Sequence, residues 1–286
     1  MRTYLDCLPC FLSQTLRTSR IATTEEKIQR EILNQVMEKL INLSLDTSPP
    51  QIAQVVYRTI KAVTGNGDPY AETKKRQNEL ALSFYPEFKE MTRTSKDPLL
   101  FALKLAIAGN IIDLGVQREV TDLRGEIFEA LSAPLSVNDY DAFKKNINNS
   151  KLILYLGDNA GEIVFDRILI EELNKIDKLK IIFAVREKPI INDATLEDAK
   201  FVGMDRQAEV ISNGSDAPAT ILSECSAEFI NLFQKADMVI AKGQGNYESL
   251  SDENKNVFFL LKVKCPIVAN HLNADVGDAI LKRQLC

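Results

Sequence analysis

The segment Gly157-Asp158-Asn159-Ala160-Gly161-Glu162 sets a carboxylate beside an amide, between glycines. On a regular strand, neighbouring side chains point to opposite faces. Between glycines the pair is expected in a turn, where both oxygens can aim at one point. Hard oxygens so placed suit Mg²⁺ or Mn²⁺, and Asp193, in Asn192-Asp193, could add a second carboxylate. The same two residues could instead cap a helix beginning near Ala160 and fill its turn. A second candidate is Lys242-Gly243-Gln244-Gly245-Asn246. There Gly243 and Gly245 could let backbone N–H groups approach an anion, with Lys242 supplying charge. It lacks the Gly-Lys-Ser/Thr ending of a P-loop, and a plain tight turn is the other reading. Cys7-x-x-Cys10 is half of a zinc site, a redox pair or helix packing, and Cys265 could be a distant third thiol.

These residues need elements to hold them. Up to about residue 145 the apolar period is helical. Ile28, Ile32, Leu33, Val36, Leu40 and Ile41 form one stripe. Further helices are expected from Gln51 to Val63, from Asp68-Pro69-Tyr70 to Phe84, and from Leu99 to Leu114. Asp97-Pro98 supplies a cap and a first-turn proline for the last of these. No strand-like alternation stands out in this half. Beyond residue 150, short apolar runs alternate with helical stretches: Lys151–Leu156, Leu179–Val185, Ala208–Ser212 and Met238–Ala241 read as strands. Val257–Val263 and Ile267–Ala269 could add one or two more. Helices are expected over Ile163–Ile176 and Pro218–Phe233. The pattern predicts an α/β fold with a mainly parallel sheet, divided into a helical domain over 1–148 and a Rossmann-like domain over 149–286. Ligands of such sheets bind beyond the carboxyl ends of the strands. Those ends carry Asp158-Asn159, Arg186 followed by Asn192-Asp193, and Lys242-Gly243.

Bulk properties narrow the function. The 286 residues are 45% apolar, enough for a sizeable core. Forty acids against 35 bases give a net charge of −5, which argues against a nucleic-acid partner and leaves a small phosphorylated substrate open. No run is long enough to span a membrane. Asp6 stands where a secretory signal would be apolar, so a cytoplasmic location is expected. Five cysteines spread over the chain do not make a disulfide scaffold. His271 is the only histidine; two-histidine zinc sites are excluded within one chain, and His271 itself reads as structural.

Several motifs occur together and in order: Asp6-Cys7-x-x-Cys10, Asp68-Pro69-Tyr70 with Lys74 and Asn78, Gly109-Asn110 with Asp113, Gly157 to Glu162, Asn192-Asp193-Ala194-Thr195, and Lys242-Gly243-x-Gly245-Asn246-Tyr247-Glu248. The chain resembles the damage-control phosphatases, and its Cys-x-x-Cys start is similar to their microbial, largely archaeal subfamily. The resemblance implies a helical domain packed on a Rossmann-like domain with a divalent metal between them. It implies Asp158, Asn159 and Asp193 as ligands of Mn²⁺, Co²⁺, Ni²⁺ or Mg²⁺, with Lys242 at the substrate phosphate.

The function expected from both lines is metal-assisted hydrolysis of phosphate monoesters of small metabolites. Asp158 and Lys242 are the expected catalytic residues, with Asp158 as ligand rather than nucleophile. Asn110, Asp113, Arg186, Gly243, Gly245 and Asn246 are the expected substrate contacts. Two rivals remain at this stage: an S-adenosylmethionine- or nucleotide-binding enzyme such as a carboxyl methyltransferase, and a non-enzymatic module holding zinc through Cys7, Cys10 and Cys265.

Overall fold

The computed structural model of the chain describes residues 1–111 and 120–284. Apolar runs long enough to be covered on both faces become the inner strands. These are β2 (Leu152–Leu156), β3 (Lys180–Val185), β5 (Met238–Lys242) and β6 (Val257–Lys262); the less buried β4 (Glu209–Ser212) lies at the sheet edge beside β3, and all five are mutually parallel where they pair. Two further strands complete one sheet of order β1-β7-β6-β5-β2-β3-β4. β7 (Ala279–Gln284) runs antiparallel to β6, and β1 (Val137–Asn138) runs parallel to β7. From β2 the chain winds outward through β3 to β4, then returns to the other side of β2 as β5. The β2–β5 seam is therefore the point where the winding reverses, and polar residues follow both strands there.

The helical half begins with α1 (Cys7–Ala22), α2 (Glu26–Asn42) and α3 (Pro49–Thr64). Ser48 and Gln51 form a capping box at α3, and Gly65 ends it in the left-handed region at φ 67°. These three helices share an apolar cluster of their own, including Phe11, Ile32, Val36, Tyr57 and Ile60, and Ile190 from the loop after β3 joins it. α4 (Ala71–Thr94) and α5 (Pro98–Ala108) belong elsewhere. They pack on α8 (Glu162–Leu173) in a second cluster that continues onto one face of the sheet. α6 (Val120–Ser132) and α7 (Tyr140–Asn149) add to that cluster. The opposite face is covered by α10 (Ala227–Lys235), α11 (Gly243–Leu250) and α12 (Pro266–Leu272). A short helix, α9 (Leu196–Phe201), follows β3 and carries a Thr195–Asp198 capping box.

Three expectations change. Ile267–Ala269 is helical, because Pro266 occupies the first helical turn. The helix expected from Pro218 starts only at Ala227, where the Ser226 hydroxyl accepts from Phe229 N at 3.2 Å. And the first half does contain a strand, the two-residue β1, too short to show any alternation. No helix among the described residues is long and apolar enough to cross a membrane.

The junction of α4 and α8 rests on Phe88 and Phe165, buried edge to face at 5.7 Å. Phe165→Ala is expected to lower unfolding free energy by about 3–5 kcal/mol, read as a shift of the urea midpoint.

Candidate active site

The turn after β2 and the loop after β3 are tied together by backbone. Asp158 O accepts from Ala194 N at 2.8 Å, Asn192 O accepts from Ala160 N at 2.8 Å, and Asn159 and Asp193 form an isolated antiparallel bridge. Gly161 enters α8 at φ 77°. The Asp158 carboxylate lies against Gly243 at the first position of α11. A Cβ there would sit 1.9 Å from Asp158 Oδ2, so only glycine, at φ 79°, makes room for it. Gly245 is small for another reason: a Cβ would meet Pro218 O at 2.8 Å.

Charge is crowded around this point. Asp158, Asp193, Glu162 and Asp166 share the region with Arg186 and Lys242, and the charge of Lys264 also acts on Asp158. Arg186 Nε donates to Asp193 Oδ2 at 2.8 Å, Nη1 reaches Thr220 Oγ1 at 3.4 Å, and Nη2 stands 3.9 Å from Asp158 Oδ1. Arg186 is nearly enclosed, and its Nη2 has no hydrogen-bond partner. Asn159 Nδ2 donates to Asp158 Oδ2 and to Glu162 Oε2, both at 3.2 Å. Burial pushes the Asp158 carboxyl well above its ordinary range, and the neighbouring Asp193 and Glu162 carboxylates push it further.

That excess of negative charge is the test of whether a divalent cation fits, and these residues pass it. Two carboxylates and an amide form a hard-oxygen set from two loops, and a cation among them would relieve the repulsion that disfavours ionised Asp158. Among the described residues, no group of three or more His, Cys, Asp or Glu could hold a metal. The candidate set is therefore two acids and an amide. Cys7 and Cys10 are free thiols at the start of α1, and Cys265 is a free thiol preceding α12. Burial raises Cys7, with smaller pushes from Glu248, Cys265 and Cys10. His271 accepts or donates at Nδ1 to Tyr247 OH, 2.7 Å away, which ties α12 to α11.

Lys242 sits elsewhere than expected. Its side chain is fully buried, and its three hydrogens go to Glu162 Oε1 (2.6 Å), Asp166 Oδ1 (2.6 Å) and Ala106 O (2.7 Å). Ala106 lies in the last turn of α5, where the helix dipole favours a cation. Burial works against the ammonium, but Asp166 and Glu162 outweigh it and hold Lys242 above its ordinary value. Burial pushes Asp166 up to about 6 against the pull of Lys242. Tyr155 OH donates to the same Asp166 oxygen at 2.7 Å. With all its hydrogens taken, Lys242 touches no open space, so a direct contact to a phosphate is not what this arrangement offers.

Asn246 is also engaged. Its Oδ1 accepts from Thr220 N at 2.8 Å and its Nδ2 donates to Lys242 O at 2.7 Å, pinning the 213–220 loop over α11. Asn110 is buried just beyond α5, next to Gly109, whose Cβ would stand 3.0 Å from Glu162 Cγ. Asp113 lies outside the described residues. Sequence reasoning missed Glu162 and Asp166 as partners of Lys242. Two acids spaced i and i+4 in the apolar first half of the helix were the available signal.

The comparisons bear on this geometry. A family model described as the damage-control phosphatase ARMT1-like domain matches residues 3–280. The chain belongs to this family. It is 38% identical to an uncharacterized protein of Methanocaldococcus jannaschii, over 98% of this chain and 94% of that one. It is 36% identical to a protein of Pyrococcus horikoshii named a damage-control phosphatase, over 99% and 98%. A protein of Archaeoglobus fulgidus with the same name is 34% identical, over 96% and 97%. The crystal structure of a DUF89 family protein from Pyrococcus horikoshii superposes with a TM-score of 0.93 at 36% identity, covering 99% of each chain.

Two outcomes follow from the charge arrangement. Lys242→Met leaves Glu162 and Asp166 facing each other without a cation, and is expected to cost about 3–5 kcal/mol of stability in denaturant unfolding. Unchanged stability would contradict the buried ion cluster. In α11, burial raises Glu248 from its ordinary 4.5 to about 7, with Gln244 donating to it at 2.8 Å. The folded state thus holds this proton more tightly than the unfolded chain. Its stabilisation is present below pH about 4.5 and is lost as pH rises toward 7. Glu248→Gln should match wild-type thermal stability at pH 4 and exceed it at pH 8.

Proposed function

We propose that this chain is a metal-dependent phosphatase that hydrolyses phosphate monoesters of small metabolites. The observation that carries the reading is the convergence of Asp158, Asn159 and Asp193 from two loops at the winding reversal of the sheet, beside an arginine with an unpartnered N–H. The names of the Pyrococcus and Archaeoglobus relatives support the same activity.

Asp158, Asn159 and Asp193 would hold the ion, and Mn²⁺, Ni²⁺, Co²⁺ or Mg²⁺ suits that set. When bound, the ion supplies Lewis-acid charge to a phosphoryl group and makes a water more acidic. Phosphoryl transfer needs mainly positioning and neutralisation of charge, and the chain's own residues supply both. Arg186 leaves the N–H groups of Nη2 without a partner, where they could meet a phosphoryl oxygen, while Asp193 fixes its Nε. The first backbone N–H groups of α11, at Gly243 to Gly245, lack helical partners, and a helix start of this kind would favour an anion. Lys242 acts from behind, holding Glu162 in place with one hydrogen while Glu162 in turn accepts from Asn159. Asp158 serves as a ligand and not as a nucleophile, since its carboxylate is committed between Gly243 and Asn159. Sugar phosphates, damaged nucleotides and cofactor fragments are the substrate classes to screen, in keeping with a role in disposing of harmful phosphometabolites.

Asp158→Asn tests this. It removes the repulsion described above and should fold at least as stably as wild type without added metal. It should also lose metal-stimulated hydrolysis of an aryl phosphate by a factor on the order of 100 or more. Full activity in the folded variant would end the assignment, as would hydrolysis by wild type that survives complete chelation of divalent ions.

A further inference from the structure

One helix outside the sheet reaches both loops that carry the proposed ligands. From α4, Asn78 Oδ1 accepts from Gly161 N at 2.7 Å, two residues after Asn159. Asn78 Nδ2 donates to Asp198 Oδ1 at 3.0 Å. Asp198 caps the helix after the second loop, accepting from Thr195 N at 3.0 Å and Thr195 Oγ1 at 2.8 Å, two residues after Asp193. One residue earlier on α4, Gln77 Oε1 accepts from Asn192 Nδ2 at 3.2 Å, immediately before Asp193. Lys74, one turn back on the same helix, bridges Asp68 (2.9 Å) and Asp198 (3.3 Å). Lys74, Gln77, Asn78, Asn192 and Asp198 are all buried. A row of polar side chains inside an interface costs free energy unless each is satisfied, and here the partners include the flanks of the two ligand loops.

We infer that Gln77 and Asn78 are positioning residues for the divalent cation: α4 clamps the Asp158–Asn159 turn and the Asp193 loop in register, and so sets the affinity of the site. The inference rests on the ion lying among Asp158, Asn159 and Asp193. Its physical basis is that the ligands themselves sit on turns. The Gly161 end of the first turn is held in the left-handed region, and the second loop passes through Ile191 at φ 46°, a conformation unfavourable for a β-branched residue. Neither turn would keep that shape on local preference alone. Backbone ties hold the loops to each other, and α4 holds both to the helical half of the molecule. Outer partners of this kind fix ligand orientation without touching the metal. Asn78 and Gln77 meet neither the ion nor the reacting phosphate, so they are not catalytic residues.

The test is equilibrium binding of Mn²⁺ to the full chain by isothermal titration calorimetry. Asn78→Leu and Gln77→Met keep side-chain volume and remove the ties; Glu72→Gln, on the exposed side of α4, is the control. Asn78→Leu is expected to weaken Mn²⁺ binding by about 10–100-fold. Gln77→Met should weaken it less, and Glu72→Gln not at all. At saturating Mn²⁺ the folded variants should regain the wild-type kcat on an aryl phosphate, which a general loss of structure would not allow. If Asn78→Leu does not fold, Gln77→Met carries the test. Wild-type Mn²⁺ affinity in whichever of these variants folds overturns the clamp. Binding lost in Asp158→Ala but unchanged in both α4 variants overturns the clamp alone. A wild-type chain that binds no Mn²⁺ overturns the site, and the clamp with it.

Discussion

The arrangement depends on one constraint, the crowding of carboxylates where the sheet reverses its winding. Asp158, Asp193, Glu162 and Asp166 occupy a nearly dry region where Arg186 and Lys242 pair with them directly and Lys264 also offsets Asp158. Buried like charges are costly unless paired. The molecule meets that cost in two separate ways. Glu162 and Asp166 are answered from within by Lys242, which is sealed against the last turn of α5. Asp158 and Asp193 share Arg186, whose Nη2 has no hydrogen-bond partner. Each pair sets two carboxylates against one cation, but Lys242 spends all three of its hydrogens on its partners, whereas Arg186 Nη2 finds no acceptor, and the second pair is the proposed site for a cation.

Other features follow from keeping the second group poised. The strand order places the ends of β2 and β5 side by side, so that the Asp158 turn meets the start of α11. Gly243 gives the Asp158 carboxylate the space a side chain would fill. Asn246 fastens the 213–220 loop to β5, and Thr220 on that loop steadies Arg186. The helical half takes part as well: Ala106 O reaches Lys242, and α4 reaches both ligand loops. The apolar clusters express the same division of labour, since α1 to α3 form a core of their own while α4 and α5 share that of the sheet.

Much of this was legible in the sequence. The inner strands announced themselves because parallel strands covered on both faces read as unbroken apolar runs, and their polar ends carry the residues of the proposed site. Asp158, Asn159, Asp193 and Arg186 were readable as residues following strand ends. Gly243 was readable as a glycine before a helix, though not that its missing Cβ makes room for Asp158. The edge of the sheet was less legible. β7 carries Lys282 and Arg283 and borders the two-residue β1, so neither shows a clean period. Ile267–Ala269 illustrates the ambiguity of short apolar runs, which Pro266 resolved in favour of helix. Lys242 was placed correctly at a strand end, but its partners lie about 80 and 136 positions away in the chain. No local pattern shows which way such a side chain turns. The α4 ties were hidden for the same reason: Gln77 and Asn192 look like ordinary surface amides until the fold brings them together.

The most direct measurement of the central claim is anomalous diffraction from crystals of the wild-type chain grown with Mn²⁺. The account predicts one strong anomalous peak within coordination distance of oxygens from Asp158, Asn159 and Asp193, with Lys242 still enclosed by Glu162 and Asp166. A peak among the cysteines with none at these three residues, or no ordered manganese between the two loops at saturating concentration, would contradict it.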